Sequence, residues 1–390
     1  MIFSIPLAWL QLTRQKARFI VALAGIVFVV ILLFMQLGFQ DALYASATHL
    51  HTNLRGDLFL ISSQYKALTS YQSFPRSRLY QALGFDGVEA VSPLYLQFAK
   101  VKNPQTGQKY QIFVLGFDPA TPVLNLLDVQ QNINILKFSN GALFDRASRP
   151  EFGPIAIEFS KGSPVNIELF SSNEPVGHRV EVGGLFTLGP SFGVDGNLII
   201  NYLTFLQIFN DRRAGNIDIG LITLKPGASI QKVIANLQFN LPKDILVLTR
   251  QEFVAFEKDY WATRTPIGIV FNMSVSMGFI IGTAIVYQIL YNNISNQLVE
   301  YATLKAIGFK NNYFLSIVFQ QALILSFLAY IPGLLISTIL YDLASKLTYL
   351  PIVMSANKVV LVLISAVIMC LFSGSIAISK LRAADPSDIF

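Results

Sequence analysis

The chain has 390 residues, of which 53% are hydrophobic and only 13% charged, and its formal net charge is +6. A soluble domain carries about twice this charged fraction, so much of the surface must face lipid. The single cysteine excludes an intrachain disulfide, and three histidines without neighbouring ligands do not predict a metal site.

Four stretches without Asp, Glu, Lys or Arg predict membrane-spanning helices. A helix rises about 1.5 Å per residue and crosses about 30 Å of hydrocarbon with roughly 20 apolar residues. All four stretches reach that length, and they stand in a one-plus-three order. The predicted transmembrane segments are residues 19–40, 265–291, 314–341 and 359–379.

Basic residues flank these segments asymmetrically, which predicts the orientation. Arg14, Lys16 and Arg18 precede the first span, and Lys305 and Lys310 lie between the second and third. By the positive-inside rule both termini are cytoplasmic and the large hydrophilic segment is periplasmic. The remaining predicted segments are a cytoplasmic amphipathic helix (1–18), a periplasmic domain (41–264), a cytoplasmic loop (292–313), a short periplasmic loop (342–358) and a cytoplasmic tail (380–390).

The periplasmic domain is predicted to be a large α/β domain. Residues 41–55 and 251–264 lack Pro and Gly, and we expect them to extend the adjoining membrane helices as stalks. Two β-α-β halves, residues 56–116 and 202–250, can pack as one porter-like module of ferredoxin type. Between them, residues 117–201 are rich in Gly, Pro and short alternating runs, which predicts a mostly β insertion. The predicted strands are 58–62, 88–101, 110–116, 180–185, 197–201, 217–224 and 245–249, and the predicted helices are 75–83 and 229–241.

Motifs for catalysis and nucleotide binding are absent from the sequence. It contains no phosphate-binding G-x-x-x-x-G-K-[ST] loop and no nucleophile or zinc-protease motif. The four apolar stretches also lack the ionisable residues that ion-coupled transporters place at membrane depth. We therefore expect neither an enzyme nor a secondary transporter, and any energy must come from another protein.

The loop between the second and third spans carries an amphipathic pattern. Leu298, Tyr301, Ala302 and Lys305 follow the spacing of one helical face, and Gly308 stands where helices commonly end. The pattern predicts a short helix at the inner surface. A simple interfacial turn that only links two spans is the alternative.

The residues of this loop resemble a known family. Residues 300–308 read EYATLKAIG and resemble the E-[IYF]-A-[TL]-L-[KR]-A-[IL]-G signature of the FtsX and MacB superfamily of ABC permeases. The tail, residues 380–390, is similar to the closing motif of that family, and the one-plus-three span order agrees. The narrower resemblance is to the DevC type, found in cyanobacterial heterocyst glycolipid exporters, and it rests on residues 6–12, the beginning of the first span and the stand-alone permease length.

This resemblance implies a mechanotransmission permease of the bacterial inner membrane, without a cofactor of its own. The implied partners are a separate ABC ATPase that binds ATP and Mg, a second copy of the chain in a homodimer, a periplasmic membrane-fusion adaptor, a TolC-like outer-membrane channel and a lipid or glycolipid cargo. Nucleic acid is not among them, because the excess basic residues suit anionic headgroups at the cytoplasmic face. The implied ATPase-coupling helix consists of Leu298, Glu300, Tyr301, Ala302, Thr303, Leu304, Lys305, Ala306, Ile307 and Gly308.

Two further groups of residues are candidate contacts. Ser274, Gly278 and Gly282 repeat every four residues, an arrangement that lets helix backbones approach closely in lipid. They predict either a dimer interface or packing within one chain. The family likeness also suggests that a turn contacts the adaptor, although an ordinary surface hairpin is the commoner role of such a turn. Its candidate residues are Gly193, Asp195 and Gly196.

Three other function classes remain open at this point. A regulator similar to the cell-division FtsX branch would use the same machinery to control a periplasmic hydrolase, but its external domain is usually smaller. A lipoprotein-releasing permease would be one half of a heterodimer. A receptor outside the ABC class would need a cytoplasmic signalling domain.

Overall fold

The computed structural model describes residues 5–171, 176–213, 215–296, 307–309 and 311–383. The chain divides into two compact units. The first, which we call the membrane bundle, contains Met1–Ala42, Pro266–Thr348 and Ile352–Phe390. The second, which we call the head, contains Leu43–Thr265 and Tyr349–Pro351.

Two helices begin the chain, α1 (Ile5–Arg14) and α2 (Lys16–Asn53). α2 is a single helix of 38 residues, about 57 Å long at 1.5 Å per residue. The helix does not end where the uncharged stretch ends, because no Pro or Gly follows Gly38 before Asn53. Of residues 41–55, which were expected to extend the membrane helix, α2 includes those as far as Asn53.

The head is a mixed α/β domain of eleven strands and six helices among the described residues. Most predicted elements appear within a few residues of their predicted bounds. In chain order the elements are β1 (Leu58–Ser62), β2 (Phe74–Pro75), α3 (Arg76–Ala82), β3 (Val88–Lys102), β4 (Lys109–Phe117), α4 (Leu127–Asn132), β5 (Gly141–Asp145), α5 (Ile155–Ser160), β6 (Val165–Phe170), β7 (His178–Phe186), β8 (Asn197–Asn201), α6 (Tyr202–Ile208), β9 (Asn216–Ile217), β10 (Ile219–Leu224), α7 (Ile230–Asn240), β11 (Ile245–Thr249) and α8 (Arg250–Asp259).

Four strands form the ferredoxin-like module that the sequence predicts. Their order is β11-β1-β10-β3, and all three neighbouring pairs are antiparallel. With α3 after β1 and α7 after β10, the chain follows the β-α-β-β-α-β order of that fold. All five residues of β1 are buried, because core residues cover both faces of the sheet.

The insertion closes into a ring of six strands. The strands follow the order β3-β4-β8-β5-β7-β6, and β6 pairs back onto β3. β3 takes part in both sheets, since it pairs with β10 as far as Leu94 and with β4 from Tyr95 onwards. β4 thus belongs to the ring, although the sequence analysis assigned it to the porter-like half.

The second stalk differs from the prediction. α8 is followed by a π-helical turn, Tyr260–Arg264, and then by Thr265 in an extended conformation with φ −108° and ψ 144°. Pro266 restricts the residue before it to this region, so the stalk helix is not a continuation of the next membrane helix.

The remaining membrane helices are α9 (Pro266–Asn296), α10 (Asn311–Thr348) and α11 (Ala356–Ala383). With α2 they give four helices that are long and apolar enough to cross a membrane. The fold class, four membrane helices with a large α/β domain between the first and the second, is as predicted.

Candidate functional site

The predicted ATPase-coupling helix falls almost entirely outside the described residues, which resume at Ile307. Ile307 is 70% exposed, and Phe309 stacks on Tyr313 with ring centroids 4.6 Å apart. Gly308 has a φ of 104°, which glycine adopts without the strain that a side chain would bring. The coupling role of Leu298 and of residues 300–308 stays a prediction.

The small-residue stripe of α9 packs against helices of the same chain. Gly278 lies against Leu32 and Gln36 of α2, and a Cβ at that position would overlap the Gln36 side-chain oxygen. A Cβ at Gly282 would lie 2.5 Å from Val29 of α2 and from Met369 of α11. Ser274, one turn earlier, is only partly buried. These contacts are the ones expected if the stripe packs within one chain. The role of the stripe in a dimer stays a prediction.

A buried carboxylate joins three segments of the head. Glu257 of α8 is 1% exposed and accepts hydrogen bonds from the backbone N–H of Leu68 at 3.0 Å and from Trp261 Nε1 at 2.9 Å. The Tyr65 hydroxyl donates to it at 3.3 Å, and His51 Nε2 of α2 lies 3.4 Å from it. We call this set the Glu257 cluster.

The Glu257 cluster connects both helical stalks to the loop after β1. Burial, followed by the nearby Glu257 carboxylate, raises the pKa of Tyr65 well above its ordinary value, so this hydroxyl stays protonated and acts as a donor. A buried acceptor with several donors orients its neighbours, because any displacement leaves a polar group unpaired. The cluster therefore fixes the end of α2 and the C-terminal part of α8 to the loop after β1.

The sequence analysis did not identify Glu257, although the sequence contains a signal for it. Phe253, Glu257 and Trp261 stand four residues apart, so they share one face of a helix. A carboxylate between two large aromatic residues on an otherwise buried face is a candidate for a buried acceptor.

A second buried carboxylate lies where β3 passes from one sheet to the other. Asp218 is fully buried and pairs with Arg212 at 2.5 Å between Oδ1 and Nη2. It also accepts hydrogen bonds from Ser73 Oγ at 2.7 Å and from the Leu96 N–H at 2.6 Å. Burial raises the pKa of Asp218, and the Arg212 guanidinium opposes that rise. These bonds join the ferredoxin-like module to the ring next to Tyr95, the residue at which β3 changes its pairing partner from β10 to β4.

The turn proposed as an adaptor contact packs partly on the head itself. A Cβ at Gly193 would lie 2.7 Å from Thr69 Cγ2, and one at Gly196 would lie 2.6 Å from Ser148 Oγ, so both glycines are required by close packing. Asp195 remains exposed and pairs with Arg149 at 2.9 Å. Of the three residues, only Asp195 offers a side chain to a partner, and the adaptor contact stays a prediction.

Several large aromatic side chains form part of the head core. Tyr65, Phe74 and Tyr95 are each at most 2% exposed. Phe98 packs on Phe113 with ring centroids 4.8 Å apart. These rings pack in or against the head core and stabilise it.

Comparison with protein families gives a match to a region described as FtsX-like permease C-terminal, over residues 272–386. The matched region includes most of α9, the loop with the EYATLKAIG sequence, α10 and α11. Comparison with the curated proteins gives no match.

Solved structures that match include two external domains. The periplasmic region of MacB from Actinobacillus actinomycetemcomitans has 10% identity and a TM-score of 0.34, over 52% of this chain and 91% of that chain. The extracellular domain of the noncanonic ABC-type transporter YknZ from Gram-positive bacteria has 15% identity and a TM-score of 0.31, over 50% and 99% of the two chains. The C-terminal membrane region of the chain is thus similar to FtsX-like permeases, in agreement with the resemblance carried by residues 300–308.

Proposed function

We propose that the chain is the membrane subunit of an ATP-driven ABC exporter that transmits movement from a separate ATPase to the head. The observation that carries the proposal is the FtsX-like permease match over residues 272–386, which contains the EYATLKAIG loop. In this proposal the loop docks on the ATPase at the cytoplasmic face, and the head is periplasmic.

Two features of the structure support mechanical transmission. α2 is one uninterrupted helix of 38 residues, longer than the roughly 20 that cross a bilayer. Its last turns bear His51, which lies in the Glu257 cluster together with α8. Buried polar contacts of this kind hold the last turns of α2 against α8 and the loop after β1.

Finer features of the proposal rest on the family likeness alone. We propose a homodimer that works with a membrane-fusion adaptor and a TolC-like outer-membrane channel, and a glycolipid as the cargo, in the manner of DevC-type permeases. Purification from the native membrane under mild cross-linking tests this arrangement. Recovery of a mixed dimer with a second permease chain would favour the lipoprotein-releasing class instead.

The first experiment tests the docking loop. The full-length protein is purified in detergent from its native membrane, beside a variant with Leu304→Asp and Ala306→Asp, and the ATPases that accompany each are identified. The matched control is Leu347→Asp with Val353→Asp, which places two carboxylates at exposed positions of the opposite predicted loop. We expect the ATPase to accompany the native chain and the control but not the variant. Absence of an ATPase from all three folded proteins would overturn the proposal.

A further inference from the structure

A polar pocket lies where α1 ends, α2 begins and α9 ends. Its volume is about 170 Å³. All three helices belong to the membrane bundle. The pocket stands at the edge of the first predicted span, because Arg18 is the last charged residue before the uncharged stretch from Phe19. Its polar lining consists of Gln11, Arg14, Gln15, Arg18, Asn293 and Asn296.

The lining of the pocket suits an oxyanion. It contains two guanidinium groups and four side-chain amides, and none of the described residues that line it has a carboxylate. Guanidinium groups bind phosphate oxygens through paired N–H donors, and amide N–H groups add neutral donors. Gln11 is held in place by α10, since Gln321 Nε2 donates a hydrogen bond to its Oε1 at 2.9 Å.

A second cavity continues from this pocket between α2 and α9. Its volume is about 510 Å³, and it shares Arg18, Asn293 and Asn296 with the polar pocket. The apolar part of its lining is formed by Ala17, Val21, Ala22 and Ile289, and Asn292 completes the lining. Val21 is 70% exposed, so the groove is open on the side of the helix that would face lipid.

The geometry points to a binding site for an anionic phospholipid. The phosphodiester binds in the polar pocket near Arg14 and Arg18, and one acyl chain lies along the apolar groove between α2 and α9. A free phosphate ion would fill only the polar end, whereas an amphiphile fills both connected cavities. The site lies at the basic end of the bundle, is independent of the proposed export cargo and requires no other subunit.

Titration of the delipidated full-length protein in detergent tests the site. The probes are short-chain phosphatidylglycerol, phosphatidylcholine with the same chains, and inorganic phosphate, and binding is measured by native mass spectrometry. We expect one phosphatidylglycerol molecule to bind per chain, and to bind more tightly than phosphatidylcholine. Equal binding of the two lipids, or equally tight binding of inorganic phosphate, would overturn the proposal.

Single substitutions distinguish a built site from general surface attraction. Arg18→Gln is expected to weaken phosphatidylglycerol binding by more than about tenfold, because a charge-assisted, two-point contact is lost. The matched control is Lys16→Gln, since Lys16 is exposed, two residues away and not part of either lining. Non-specific attraction between one basic residue and an anionic lipid surface changes the affinity by about fivefold. Equal losses in the two variants would mean surface attraction only and would overturn the proposal.

A third variant tests the groove without changing charge. Ala17→Trp fills the apolar cavity, and we expect it to weaken phosphatidylglycerol binding while the weak binding of inorganic phosphate is kept. Unchanged phosphatidylglycerol binding in a folded variant would show that the acyl chain does not occupy the groove. Size-exclusion elution at the native position verifies that each variant is folded.

Discussion

The membrane bundle and the head are stabilised by different kinds of contact. Among the described residues, the helices of the bundle approach one another at glycines, where Gly278 and Gly282 bring α9 against α2 and α11. The head instead contains buried carboxylates, Glu257 and Asp218, each with several donors. Lipid tails are as apolar as the side chains of membrane helices, so the hydrophobic effect does not drive these helices together. Their association depends on close packing instead. In a head with a large apolar core, buried polar groups determine which loop lies where.

This difference shows that the two units should respond to different changes. Added volume should affect the bundle, and loss of a buried acceptor should affect the head.

The largest expected effect is that of Glu257→Ala. The change leaves the Leu68 N–H, Trp261 Nε1 and the Tyr65 hydroxyl without their acceptor, so we expect the free energy of unfolding of the head to fall by about 3 kcal/mol. Denaturant unfolding of the full-length protein in detergent measures this loss, with Trp261 fluorescence as the local signal. Lys258→Ala is the control, because Lys258 is the exposed neighbour on the same helix. Equal losses in the two variants would contradict a structural role of the cluster.

In the bundle, Gly282→Leu should have the next largest effect. A side chain at this position would overlap Val29 and Met369, and such overpacking costs about 2 kcal/mol. Thermal unfolding in detergent should show the loss, whereas Ser276→Leu, at an exposed position of the same helix, should leave stability unchanged.

The same pair of variants also tests the predicted dimer. If Gly282→Leu abolishes cross-linked dimers while the monomer keeps its thermal stability, the stripe is an interface between copies. If Gly282→Leu instead lowers the thermal stability while cross-linked dimers still form, the stripe packs within one chain.

The sequence predicted the helices and strands better than the long-range strand pairing and the buried polar residues. The uncharged stretches and the short apolar strands follow from local residue patterns, so the four membrane helices and the ferredoxin-like order could be predicted. The closure of the ring through pairing of β6 with β3 joins residues about 70 positions apart and leaves no local pattern. Asp218 was missed for a related reason, since Asp218 and Arg212 resemble surface residues until the fold encloses them.

A proline marks the boundary between α8 and α9, and its removal should have a moderate effect. Pro266→Ala frees Thr265 from the extended region and supplies a backbone N–H, so a helix can continue through this position. We expect amide hydrogen exchange of residues 265–269 to slow by about fivefold, in line with roughly 1 kcal/mol for such backbone changes. Pro351→Ala, a proline change outside any helix, is the control. Unchanged exchange would mean that the break is set by tertiary contacts.

The smallest effect concerns the response of the head to pH. Asp145 is fully buried and accepts hydrogen bonds from the N–H groups of Leu188 and Gly189 and from Asn197 Nδ2. Burial raises its pKa above the ordinary 3.8, and these hydrogen bonds oppose the rise. With a raised pKa in the folded state, its contribution to stability is fully present below pH 3.8 and is lost as the pH rises through the folded-state pKa.

Asp145→Asn removes this titration, so acid should favour the native chain over the variant. We expect the difference in stability to move towards the native protein when the pH falls from 7 to 4. Thermal unfolding at several pH values measures the difference, with Asp195→Asn as the exposed control. A difference that moves the other way would show that the donors around Asp145 outweigh its burial and hold it as an anion. In that event the head would lose stability in acid through the group that organises residues 187–197, and its buried carboxylates would act as ionised acceptors.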